Sequence, residues 1–120
     1  MIYAFDIDGT LTADPVRLGA IMQALRGAGH RVIVITGCLS GALTPVEIRK
    51  AQLESYGVKH KDHYDSLYVV EGPDYDDVGR GKGRLCREES VDMMIEDTPQ
   101  WAVFIRSASP NTTCLLMANK

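Results

Sequence analysis

Apolar positions in this chain fall into two kinds of run. Ile2 to Phe5, Val32 to Ile35, Leu67 to Val70, Met93 to Ile95 and Thr113 to Met117 are short runs that read as strands, and Val32 to Ile35, β-branched throughout, has the form of one buried on both faces of a parallel sheet. Between them, apolar residues recur at helical spacing. Asp14 and Pro15 open a helix carrying Leu18, Ile21, Met22, Leu25 and Ala28, which Gly27 and Gly29 end. Thr44, Pro45, Val46 and Glu47 have the form of a second helix cap, and that helix runs to about Tyr56 with Val46, Ile48, Ala51 and Leu53 as its apolar side. Asp74, Tyr75, Asp76 and Asp77 read as an acidic loop reaching Gly79. A short helix over Lys82 to about Glu89 follows, weakened by Gly81 and Gly83. Thr98 and Pro99 open the last helix.

Strands alternating with helices predict a three-layer α/β fold: a doubly wound sheet of about five parallel strands with right-handed crossovers. In such sheets, ligands bind beyond the carboxyl ends of the strands, where the winding direction reverses. The polar strand ends therefore gather: Asp6 and Asp8 after the first, Thr36 and Gly37 after the second, Glu96 and Asp97 after the fourth. Alternation along an extended chain puts Asp6 and Asp8 on one face, and Gly9 lets the backbone turn away. Two convergent carboxylates call for a cation or a shared proton between them.

With 120 residues, 45% of them hydrophobic and 24% charged, the chain is expected to form one domain over residues 1–120. No apolar run reaches the ~20 residues of a membrane span, so a cytoplasmic protein with no membrane partner is expected. Cys38, Cys86 and Cys114 are odd in number and lack a CxxC pair, which suits free thiols. A net charge of -3 argues against broad nucleic-acid binding. His60 and His63 have no third ligand beside them and read as solvated, while Trp101, Met93 and Met94 read as core. Gly79 to Gly83 is no phosphate loop, because Gly83 stands where Ser or Thr is required.

Asp6-Ile7-Asp8-Gly9-Thr10, with Thr36 ending the second strand, a lysine, and the Glu96-Asp97 pair, resembles the signature of the haloacid dehalogenase superfamily. The resemblance spans residues 6 to 97 and is that of a capless phosphatase, since neither gap where the family inserts a cap can hold a domain. It implies a Mg²⁺-dependent phosphomonoester hydrolase working through a phospho-aspartate: Asp6 as nucleophile and Asp8 as acid and base. Mg²⁺ would be held by Asp6, the Asp8 carbonyl and Asp97, with Glu96 as a further candidate ligand. Thr36 and Gly37 would bind phosphoryl oxygens, and Lys82 would neutralise charge at Asp6, with Lys50 and Lys61 as the other candidates. The resemblance further implies a phosphorylated substrate, either a small molecule or a nucleic-acid end, the latter suggested by the Glu96-Asp97 pair and by Arg80, Lys82, Arg84 and Arg87, with Arg80 a candidate for substrate binding. A homo-oligomer would supply the missing cap to a sugar-phosphate phosphatase. A binding or regulatory module that keeps the fold without turnover is the contrasting expectation.

Overall fold

The computed structural model describes residues 1–41 and 45–118. Five strands, β1 (Ile2–Phe5), β2 (Arg31–Leu39), β3 (Ser66–Gly72), β4 (Met93–Glu96) and β5 (Thr113–Leu116), form one parallel sheet in the order β3-β2-β1-β4-β5. Among the described residues four helices connect them: α1 (Pro15–Gly27), α2 (Val46–Ser55), α3 (Tyr75–Glu88) and α4 (Pro99–Ala108). The fold is thus a Rossmann-like three-layer α/β architecture, and its winding reverses between β1 and β4. No described helix is long and apolar enough to cross a membrane.

Strand alternation builds two cores from the same strands. Phe5, Val32 and Val34 pack with Met22 of α1 and Leu53 of α2 on one face, while Ala4, Ile33 and Ile35 pack with Cys86 of α3 and Ile105 of α4 on the other. The register pairs Phe5 with Val34 and with Ile95, so β1 is buried between two neighbours along its length.

Several elements differ from expectation. β2 continues beyond Thr36 through Gly37, Cys38 and Leu39, which pair with Val70, Glu71 and Gly72 of β3. The acidic segment is the first turn of α3: the Asp74 side chain accepts a hydrogen bond from the Asp77 amide at 2.9 Å, and Asp76 and Asp77 sit at the positive end of the helix dipole. The glycines that lower helix propensity are there for contact. A Cβ at Gly79 would lie 2.7 Å from Trp101, one at Gly83 2.8 Å from Ala108 and one at Gly81 2.6 Å from Val70. α3 is thereby drawn onto both α4 and the sheet. α2 buries only Leu53 well, leaving Val46 and Ile48 exposed, because it covers the sheet at its β3 edge. The expected cap at Thr44 lies outside the described residues.

Candidate functional site

Asp6 follows β1 and still belongs to the sheet: its amide donates to the Ile95 carbonyl at 3.0 Å. The chain then makes a wide turn over Ile7–Leu11, closed by the Leu11 amide on the Asp6 carbonyl and the Thr12 amide on the Ile7 carbonyl. Gly9, at φ 78°, is the residue that permits it. Asp6 stays inside, 2% exposed, and Thr10 Oγ1 donates to its Oδ2 at 3.4 Å.

Across the winding reversal stands Glu96, fully buried at the end of β4. Lys82 of α3 enters between the two acids, donating from Nζ to Asp6 Oδ1 at 2.8 Å and to Glu96 Oε2 at 2.9 Å with no exposure of its own. It can do so because its stem passes Gly37, where a Cβ would lie 3.4 Å from Lys82 Cε and 2.4 Å from Val78. The Trp101 ring lies 4.3 Å from the ammonium. Of Lys50, Lys61 and Lys82, it is Lys82 that the structure brings to Asp6. Lys50 borders a separate hollow with Val46 and His60, and the Lys61 carbonyl accepts from Arg26.

The electrostatics follow from this burial. Removal from water pushes the Asp6 carboxyl up to about 8, against the pull of the Lys82 ammonium and with a further push from Glu96 and from a side-chain hydrogen bond with Asp97. The Lys82 amine loses hydration as well, but the two carboxylates outweigh that loss and hold it above its ordinary value. A retained proton on Asp6 suits this site: one ammonium then faces one buried carboxylate, rather than two.

Asp6, Glu96 and Asp97 present carboxylate oxygens within 4.8 Å of one another, the one such cluster found among the described residues. Glu96 is already committed on both oxygens, since Oε1 accepts from the amides of Asp97 at 3.1 Å and Thr98 at 3.3 Å. Asp8 does not join this cluster with its carboxylate, contrary to the expected convergence with Asp6. The turn carries its side chain outward to Arg49 of α2, whose guanidinium donates to Oδ1 at 3.1 Å and Oδ2 at 2.8 Å. Arg49 has no motif to mark it in the sequence, because it reads as one more polar position on a helix.

The cleft over this floor has a volume of about 340 Å³ and is lined by Asp6, Asp8, Gly9 and Asp97, by Gly37 to Leu39 of β2, and by Tyr75, Val78, Thr98 and Trp101. Gly37 is therefore at the site. Thr36 is not among the lining residues: β2 runs three residues past it, and the buried Thr36 Oγ1 has no hydrogen-bond partner among the described residues. Arg80 also lies elsewhere, paired with Asp77 at 2.9 Å and stacked on Phe104 at 4.9 Å. Trp101, expected in the core, is half-buried at the cleft wall. His60 and His63 are engaged locally, the first with the Asp65 carbonyl and the second with the Lys59 amide.

No protein-family model and no curated protein matches the chain. A solved structure does: a universal stress protein in complex with cAMP superposes with a TM-score of 0.59 and 13% sequence identity, over 100% of this chain and 98% of that one. At that identity the likeness is one of fold. It corrects the expectation of a haloacid dehalogenase: the fold that the whole chain matches is that of a universal stress protein. The assignment as a hydrolase acting through a phospho-aspartate on Asp6 is withdrawn with it, together with its nucleic-acid-end and oligomer-capped sugar-phosphate variants. The Rossmann-like sheet stands.

Proposed function

We propose that the cleft beyond β1, β2 and β4 binds a phosphorylated small molecule together with a divalent cation, and that the protein acts as a ligand-responsive module without turning the ligand over. The observation that carries this reading is the meeting of the Asp6 and Asp97 carboxylates on the floor of a cleft of about 340 Å³ at the winding reversal. Such a place is where open α/β sheets take ligands, and the volume suits a molecule of nucleotide size. The universal stress protein that shares the fold is in complex with a cyclic nucleotide.

The donor set fits a hard cation, being oxygen throughout. Asp6 and Asp97 are the proposed ligands; Glu96 orients Lys82 and the following amides. Without the cation the floor is acidic, and a phosphate would be repelled. The cation would reverse that, aided by the N-terminal ends of α3 and α4, from which Tyr75, Val78, Thr98 and Trp101 reach the cleft. Asp8, held on Arg49, does not face Asp6 as an acid-base partner would, which favours binding over turnover.

Two further elements belong to the proposal. Self-association would cover the apolar hollow between α1 and the β4–β5 end of the sheet, where Ile21, Leu115 and Leu116 are exposed; sedimentation velocity reads it. A reducing, cytoplasmic setting suits the three free thiols.

Calorimetric titration with AMP, ADP, ATP and cAMP, with and without Mg²⁺, tests the main reading. Mg²⁺-dependent binding that is lost in Asp97→Asn, with no phosphate released, is the expected result. Absence of binding to all four, or release of phosphate from them, would overturn it.

A further inference from the structure

We infer that Tyr75 and Trp101 form a stacking subsite for a planar aromatic ring, so that the ligand of the cleft is a nucleotide recognised through its base. This rests on the reading of the cleft as a site for a phosphorylated ligand, and it adds the part of the molecule that would give selectivity.

Tyr75 is the first residue of α3 and Trp101 the third of α4. The close packing of these helices through Gly79 and Gly83 sets the two rings 5.6 Å apart, tilted by 31°. The pair is held. Trp101 Nε1 donates to the Tyr75 carbonyl at 2.8 Å, which satisfies the polar edge of the indole. Lys82 lies on the ring 4.3 Å from its centroid, anchoring it to the same buried charges that form the cleft floor.

Packing of α3 against α4 does not account for Tyr75, which is 64% exposed. A large ring kept in water beside a cleft, fixed through its own backbone to a second aromatic, is a surface awaiting a partner. The facing wall is apolar too. Because β2 runs past Thr36, Cys38 and Leu39 border the same cleft, and Leu39 is 36% exposed. A flat ring entering between Leu39 and the aromatic pair would bury hydrocarbon on both faces, while a phosphate on the same molecule would face Asp6 and Asp97. Stacking on an aromatic side chain changes nucleotide affinity by about ten- to a hundredfold and accepts any base, since every base has a π face. A sugar phosphate has no such group to offer.

The test is to compare AMP with ribose 5-phosphate in Mg²⁺-containing buffer by calorimetry on the full chain. The wild type is expected to bind AMP at least about tenfold more tightly than ribose 5-phosphate. Tyr75→Ala should bring AMP down to the affinity of ribose 5-phosphate and leave the latter unchanged; Tyr75→Phe should keep the preference. The single tryptophan adds a signal, with Trp101 fluorescence quenched by AMP and not by ribose 5-phosphate. Equal affinities in the wild type, or a Tyr75→Ala protein that still prefers AMP, would overturn the subsite while leaving the phosphate site standing. Failure of both ligands to bind would overturn the two together.

Discussion

Lys82 and Asp6 stand 76 positions apart and meet at 2.8 Å, the lysine side chain wholly removed from solvent. A cation buried between Asp6 and Glu96 is a demanding arrangement: each charge has lost its water, and only its partners offset that loss.

Removing the cation should therefore be severe. Lys82→Met leaves the buried Glu96 carboxylate without its counter-charge and Asp6 Oδ1 without its donor, and breaking a buried pair from one side costs about 3–5 kcal/mol. Urea denaturation at neutral pH measures it, and a loss below about 1 kcal/mol would mean the three groups are not buried together.

The proton on Asp6 makes stability depend on pH in a defined direction. The carboxyl titrates near 8 in the folded chain against an ordinary 3.8, so between those values the folded state holds a proton that the unfolded state has released. Stability then falls as pH rises through that window. Asp6→Asn cannot titrate, and the variant should lose this component. Relative to wild type it should gain on the order of a few kcal/mol between about pH 4 and pH 8, read from denaturation midpoints across the range. Parallel curves for the two proteins would contradict the buried carboxyl.

Two glycines should respond with opposite signs. At Gly83 a Cβ would meet the Phe104 carbonyl oxygen at 2.9 Å and Ala108 at 2.8 Å, and backbone cannot step aside. Gly83→Ala should lower stability, because overpacking of about 1–3 kcal/mol outweighs a helix-propensity gain of at most about 1 kcal/mol. At Gly27 a Cβ would meet nothing within 4 Å, and Gly27→Ala should stabilise by about 0.4–1 kcal/mol. Thermal midpoints of the two variants decide it.

The thiols should separate by reactivity. Burial pushes Cys86 up to about 12 and Cys114 up to about 11, whereas Cys38 borders the cleft. Ellman's reagent at pH 8 should label Cys38 first, and AMP with Mg²⁺ should slow that labelling. Equal rates at all three positions, or no protection by the nucleotide, would count against the cleft as drawn.

Local patterns alone determined the parallel α/β sheet and the succession of strands and helices along the chain, because short apolar runs and helical spacing distinguish the two kinds of element. They also placed Asp6, Gly37, Glu96 and Asp97 at one edge, since every parallel strand delivers its end to the same side. Side-chain direction was decided by tertiary structure. Asp8 leaves Asp6 for Arg49 because the turn at Gly9 is wider than alternation along a strand implies. Thr36 stays outside the cleft lining because β2 finds pairing partners in β3 for three residues more. Gly79, Gly81 and Gly83, which weaken a helix when read locally, are the positions where α3 touches α4 and the sheet, and contact between distant elements leaves no local trace. That same contact carries Lys82 to Asp6 and sets Tyr75 beside Trp101.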